Sequence, residues 1–388
     1  SDALEGVAVG DAHFWLLGRD TNNNTFGSAP ISFGLIDEAS KLNLNTASSN
    51  MLTALLNLMP RANQDLTSAI LDWRDTNGGA FQTYYAMQHP AYEGKSAPFE
   101  TVDELRLVYG AEFETLTGED VNRNGVLDPN EDKNRDGQLD PGLLEFVTVY
   151  SREPNTYSNG VARVNIRTLT SVNTGPLRGL LQTNLSSTRA DQILSGLGLL
   201  GNPRPGGPPG AVVAISCTSP LQFYILCHAA PASMTADEFA KIANAITVNT
   251  STNYIEGRVN INSASQTVLA SLPGISSSPD LAQTLISYRQ MNPDKLSSIA
   301  WVVDALGQNN ASVLQALAAV DCITTQSYQF TADVAAVGPH GRGYHRVRFV
   351  FDTSDGAPKI VYRQDLTHLG WALGKKVRQD WVAQGLGK

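Results

Sequence analysis

Cysteine is scarce in this sequence: Cys217, Cys227 and Cys322 are the only ones among 388 residues, too few for a disulfide framework. Cys217 and Cys227 flank Pro220 in an apolar and aromatic stretch. That spacing predicts two antiparallel strands with the sulfurs bridged; the alternative is a pair of buried free thiols. No apolar run reaches membrane-spanning length, and no signal peptide is visible at Ser1. The histidines, at positions 13, 89, 228, 340, 345 and 368, show no zinc-ligand spacing. His340 and His345 lie in a Gly-rich turn and read as surface residues. There is no G-x-S-x-G elbow and no phosphate-binding loop, so the expectation is a protein without catalysis. Positive charge is also short. The net charge of −9 repels polyphosphate on average, and no nucleic-acid partner is expected. What is present is a globular balance, 42% hydrophobic and 17% charged, in a chain long enough for one compound fold or two to three packed domains.

Leu4, Val7, Ala8, Ala12, Trp15 and Leu16 recur at helical spacing and predict an amphipathic helix that begins before Ser1. Near the other end, Val347, Phe349 and Phe351 alternate with Arg346, Arg348 and Asp352, and Ile360 and Tyr362 follow a turn through Asp355 and Gly356. The pattern predicts a β-hairpin with one buried face. Tyr328 to Val337 offers a third strand, which makes a small antiparallel sheet against which the N-terminal helix and a strand would pack.

Between the ends one motif recurs. Its first copy runs from Asn43-Leu44-Asn45-Thr46-Ala47-Ser48 through Leu55-Leu56, a turn at Met59-Pro60, and a second helix ending Asp72-Trp73-Arg74, with a later helix from Thr101. A degenerate copy starts at Val164-Asn165-Ile166-Arg167-Thr168, continues through Ala190 to Leu194 and closes at Thr235 to Phe239. The last copy opens with Asn260-Ile261-Asn262-Ser263-Ala264-Ser265 and passes Leu272-Pro273-Gly274-Ile275 and Ser287-Tyr288-Arg289 to Leu306. Thr46 and Ser263 are the predicted N-caps. The units resemble helix-hairpin-helix modules, which can hold a DNA backbone on glycine-rich turns. Here Met59-Pro60-Arg61-Ala62 has no glycine, and only Pro273-Gly274-Ile275 keeps part of that turn.

The sharpest chemical pattern is Asp120-Val121-Asn122-Arg123-Asn124-Gly125-Val126-Leu127-Asp128-Pro129-Asn130-Glu131, which satisfies D-x-[DN]-x-[DN]-G-x5-E. Calcium takes oxygen ligands. Asp120, Asn122, Asn124 and Asp128 would present side chains to one ion, Val126 its carbonyl, and Glu131 both carboxylate oxygens; Gly125 permits the turn and Leu127 is an apolar anchor. Asp132, Asn134, Asp136, Gln138 and Asp140 then repeat the ligand spacing around Gly137, but Leu143 stands where a closing glutamate belongs. The second loop is therefore expected to be incomplete. No helix separates the two, so they read as a tandem calcium loop of exported proteins, a staple rather than a signal switch; a solvated acidic loop without metal is the alternative. Gly196-Leu197-Gly198-Leu199-Leu200-Gly201 formally matches a dinucleotide fingerprint but runs into the Pro/Gly stretch 201–210, and reads as a helix end before a linker. Asp72, Asp75 and Asn77 read as helix-end caps.

Several segments together resemble the large minor pseudopilin of type II secretion systems, the K subunit family. They are Gly34-Leu35-Ile36-Asp37-Glu38-Ala39-Ser40-Lys41-Leu42-Asn43-Leu44-Asn45, Ile70-Leu71-Asp72-Trp73-Arg74-Asp75 with Tyr84-Tyr85 and Tyr92, Pro98 to Leu105, and Phe146-Val147-Thr148-Val149-Tyr150-Ser151 with Val164-Asn165-Ile166. The resemblance implies an α+β pseudopilin-like fold, an N-terminal helix plus C-terminal antiparallel sheet, interrupted by a large helical insertion. On that expectation residues 1–42 carry the N-terminal helix and first strand, 43–150 a helical domain with the calcium loops at 120–140, 151–324 further helical repeats, and 325–388 the sheet. It further implies a non-enzymatic protein of the periplasm, anchored in the inner membrane by a helix this sequence does not include. Such a protein caps a pseudopilus tip and starts its assembly with the I and J minor pseudopilins, and it meets secreted substrates there. Two other classes stay open: a helix-hairpin-helix DNA-binding component of a pilus or uptake system, and a calcium-dependent adhesion or substrate-recognition module.

Overall fold

The computed structural model describes residues 4–22, 31–59, 62–157, 160–200, 212–251, 253–339 and 342–383. The turn residues Pro60 and Arg61, the stretch 201–210 and His340 lie outside them. The chain forms two compact units, one of Ser1–Arg152, Ser263–Val268 and Ser327–Lys388, the other of Glu153–Asn262 and Leu269–Gln326. Both mix short helices with short strands.

The first unit holds an antiparallel sheet in the order Val7–Val9, Ala12–Leu17, Gln329–Val337, Tyr344–Asp352, Lys359–Asp365, with Ile36–Asp37 also paired to Gln329–Val337. The helix predicted for the N-terminal residues is corrected: residues 7–9 and 12–17 are strands. Gly6 and Gly10 adopt φ of +61° and +60°, which breaks any helix through them. Ala12–Leu17 instead gains a full ladder from His13 opposite Val337 to Leu17 opposite Asp333, and tertiary pairing overrides the helical spacing. Trp15, Leu17, Ala335, Val337, Ala372 and Leu373 close into one apolar core on that sheet.

The helical part of the first unit comprises Ser49–Asn57, Leu66–Arg74, Gln82–Ala86 and Phe113–Thr117, with a 3-10 helix at Val102–Leu107. Leu52, Leu55, Leu66, Ile70, Trp73 and Tyr85 are buried, and Trp73 meets Tyr85 edge-on at 5.4 Å. The expected cap Thr46 is displaced by Ser48, whose Oγ accepts the Met51 N–H. In the later copy Ser265 takes the place expected of Ser263, accepting from Val268. The apolar pattern marks the helix, but the two residues before Ser48 are used in a turn: the N–H groups of Thr46 and Ala47 both go to the Asn43 carbonyl.

A small device opens each copy of the repeat. Leu42–Asn43 pairs parallel with Val147–Thr148 in the first unit; in the second, Val164–Asn165 pairs with Ile246–Thr247 and Val259–Asn260 with Ile323–Thr324, also parallel. In all three the asparagine Oδ1 accepts the N–H two residues on, at Asn45, Arg167 and Asn262. The threonine Oγ1 does the same for Tyr150, Asn249 and Gln326. The residue after the asparagine is buried in each copy, as Leu44, Ile166 and Ile261. Parallel strands need a long crossover, and the helices between the two strands of each pair supply it.

The disulfide expectation is also corrected. Cys217, Cys227 and Cys322 are free and buried, and the stretch read as two strands is a helix, Pro220–His228, capped by Ser219 through the Gln222 N–H. Proline is pre-organised for a first helical turn, where its missing N–H costs nothing; Pro220 therefore starts a helix and does not turn a hairpin.

Candidate metal centre

Asp120 to Asp140 follows the Phe113–Thr117 helix through Gly118, which sits at φ +60° with the Asp140 carbonyl where a side chain would stand. In the first loop the oxygens face inward because the backbone folds around them. Asp120 Oδ1 accepts the Asn124 N–H at 2.9 Å and its Oδ2 that of Gly125 at 2.8 Å. Asn122 Oδ1 accepts from Asn124, and Asn124 Oδ1 from Val126. Glu131 returns to close the ring, Oε1 accepting the Asn122 N–H and Oε2 that of Asp128, each at 3.1 Å. Arg123 and Gly125, at φ +57° and +81°, make the bend that these closures require.

Glu131 is 3% exposed and Asp120 6%. Burial pushes the Glu131 carboxyl up to about 7, against the pull of its two backbone hydrogen bonds. It raises Asp120 as well, although the Arg19 charge opposes the shift. The negative end of Asp128 is met by two amide groups, Asn122 Nδ2 at 2.7 Å and Asn124 Nδ2 at 3.1 Å. Among the described residues no group of three or more His, Cys, Asp or Glu is drawn together as a metal cluster. Half of this loop's donors are amide or backbone oxygens, and the amides of Asn122 and Asn124 point their nitrogens at Asp128. The donor chemistry, all oxygen with two aspartates and a glutamate, suits a hard divalent cation such as calcium.

The second loop repeats most of the first loop's bonds. Asp132 Oδ2 accepts from Gly137, Asn134 Oδ1 from Asp136, and Asp136 Oδ1 from Gln138, while Asn134 Nδ2 donates to Asp140. Arg135 and Gly137 repeat the bend at φ +62° and +72°. Leu143, at the closing position, is fully buried.

Three residues outside the expected ligand set hold this segment. Arg346, fully buried, donates to the carbonyls of Asn122 and Arg123 at 2.5 and 2.8 Å while pairing with Asp333. Arg19 donates to the carbonyls of Arg123 and Asn124. Glu119 reaches into the second loop. No local pattern announces the two arginines, which lie on strand and loop remote in sequence. A cavity of about 300 Å³ adjoins the first loop, lined by Asn122, Asp128, Glu131, Trp371 and Lys375 among others.

Residues 35–117 match the family model described as Type II secretion system (T2SS), protein K. That stretch takes in the entry Leu35 to Asn45 and the Ile70 to Leu105 segments, and ends before the first loop. No curated protein matches. Among solved structures, the GspK-GspI-GspJ complex from the enterotoxigenic Escherichia coli Type 2 Secretion System is similar at 10% identity and a TM-score of 0.34, over 92% of this chain and 81% of that one.

Proposed function

We propose that this chain, which resembles type II secretion minor pseudopilin K, is a non-enzymatic periplasmic subunit that caps the pseudopilus tip and helps start its assembly. The observation that carries the reading is the match of residues 35–117 to the protein K family. The solved complex has GspK together with GspI and GspJ, and the corresponding I and J minor pseudopilins are the partners proposed here, with secreted proteins as further contacts. The three repeats, each a parallel strand pair joined through helices, support reading the insertion as helix-hairpin-helix-like modules used for packing. Inner-membrane anchoring would come from an N-terminal helix outside this sequence. The test is co-purification with the I and J subunits, together with secretion measured in a deletion strain. Loss of secretion is expected; a deletion strain that secretes normally overturns the proposal.

Calcium is the second part of the proposal. Asp120, Asn122, Asn124, the Val126 carbonyl, Asp128 and Glu131 would take one ion. It would displace the two amide N–H groups from Asp128 and neutralise the buried carboxylates. Asp132, Asn134, Asp136, Gln138 and Asp140 would take another. The ion has no step to catalyse here. It would staple a segment too polar to form a core, on a backbone already gripped by Arg19 and Arg346.

A further inference from the structure

The two loops begin with one repeated heptad. Glu119-Asp120-Val121-Asn122-Arg123-Asn124-Gly125 is followed, twelve residues on, by Glu131-Asp132-Lys133-Asn134-Arg135-Asp136-Gly137. A glutamate thus precedes each loop. Glu131 serves as the last residue of the first loop; Glu119 has no loop before it to close.

The structure shows where Glu119 goes. Its Oε1 accepts the N–H of Lys133 at 3.0 Å and of Asn134 at 3.4 Å, and its Oε2 accepts that of Asp140 at 3.3 Å. Asn134 and Asp140 hold the third and ninth positions of the second loop. Glu131 bonds the third and ninth positions of the first, Asn122 and Asp128. The two carboxylates therefore sit alike, one in each loop, and are similarly buried at 2% and 3% exposure. Gly118 allows this approach, and the Glu119 N–H ties to the Asp140 carbonyl at 2.8 Å. Two features suit a cation in the second loop. Among the described residues no lysine, arginine or histidine meets Glu119 at ion-pair distance, although an uncompensated buried carboxylate is costly. Asp132 Oδ1, in the first position of the same loop, is buried with no hydrogen-bond partner.

We propose that Glu119 is the closing ligand of the second loop, so that the tandem is a two-ion calcium site in which each ion is closed by the glutamate that precedes the other loop. The inference rests on the calcium reading above; Glu119 would supply the closing carboxylate that Leu143 does not.

The experiment is calcium stoichiometry by native mass spectrometry, with calorimetric titration of Ca²⁺ into the calcium-free protein. The wild type is expected to take two ions, and Glu119→Gln and Asp132→Ala one each, losing the same step; Glu131→Gln should lose the other. Glu119→Asp, one methylene shorter, keeps the charge and should weaken only the second-loop step, by about tenfold or more. It decides the case if Glu119→Gln does not fold. Two ions bound to Glu119→Gln, or an unchanged second step in Glu119→Asp, overturns this inference and leaves the first site standing. No ion in the wild type overturns the calcium reading itself.

Discussion

Arg346 shows what a single side chain does in this sheet. A guanidinium with no exposure spends its planar fork on Asp333 and on two loop carbonyls, a geometry that lysine cannot reproduce. Burial alone would raise the Asp333 carboxyl, but the Arg348 charge and the Arg346 hydrogen bonds hold it well below the usual carboxylate range. Arg346→Met should cost about 3 kcal/mol or more in urea unfolding, because it removes one of the two arginines that pair the buried Asp333 carboxylate, and the donor to two loop carbonyls. Adding Asp333→Leu should recover a large part of that loss, and Arg346→Lys should recover little. Alternation along the strand predicts that Arg346 faces away from a buried set of Val347, Phe349 and Phe351; instead the register sets Arg346 opposite Ala335, on the face that carries the Trp15, Leu17, Ala335 and Val337 core, while Phe349 and Phe351 are half-buried. Part of the cover on that face comes from a loop 224 residues earlier, and no pattern local to the strand encodes such a partner.

At the scale of elements, the caps separate local from tertiary information. Ser48 and Thr46 are equally plausible caps by residue type. Only the fold shows that the Thr46 N–H is committed to the Asn43 turn. Ser48→Ala should destabilise the first unit by about 1 kcal/mol in thermal unfolding, and Thr46→Ala by clearly less. The C-terminal strands were readable because their alternation continues over whole strands, as at Tyr344–Asp352. The N-terminal residues misled because their apolar spacing fits a helix while Gly6 and Gly10 forbid one. Pro220 misled in the opposite direction, since one residue type serves both a turn and a helix start. Within residues 120–140, spacing placed the inward-facing oxygens of each loop, whereas the contact of Glu119 with the second loop depended on which loop it folds onto.

Across the whole molecule, acid should act unevenly. Glu38, Asp103, Glu145, Asp333 and Asp352 all have lowered carboxyl pKa values, and all belong to the first unit. A carboxylate whose folded pKa is depressed contributes its stability above the unfolded value and loses it as the pH falls through the folded one. The first unit should therefore weaken below about pH 4. In the second unit Glu238 is lowered, while Asp321 is raised, mainly by burial, so its acid response should be smaller. Hydrogen exchange followed by mass spectrometry would read this directly: protection in peptides of Gln329–Val337 and Tyr344–Asp352 should fall before protection in those of Asp280–Met291. Equal loss in both would refute the assignment.

The strand Ala12–Leu17 has one of its sheet partners at Asp333–Val337, with the whole of the second unit encoded between them. During synthesis it leaves the ribosome long before that partner exists, carrying Trp15 and Leu17 exposed. Closing so distant a pair is slow, and an unpaired apolar strand is prone to wrong associations meanwhile. Translation order thus makes this part of the sheet late to assemble, and gives a holding chaperone a natural target in Ala12–Leu17.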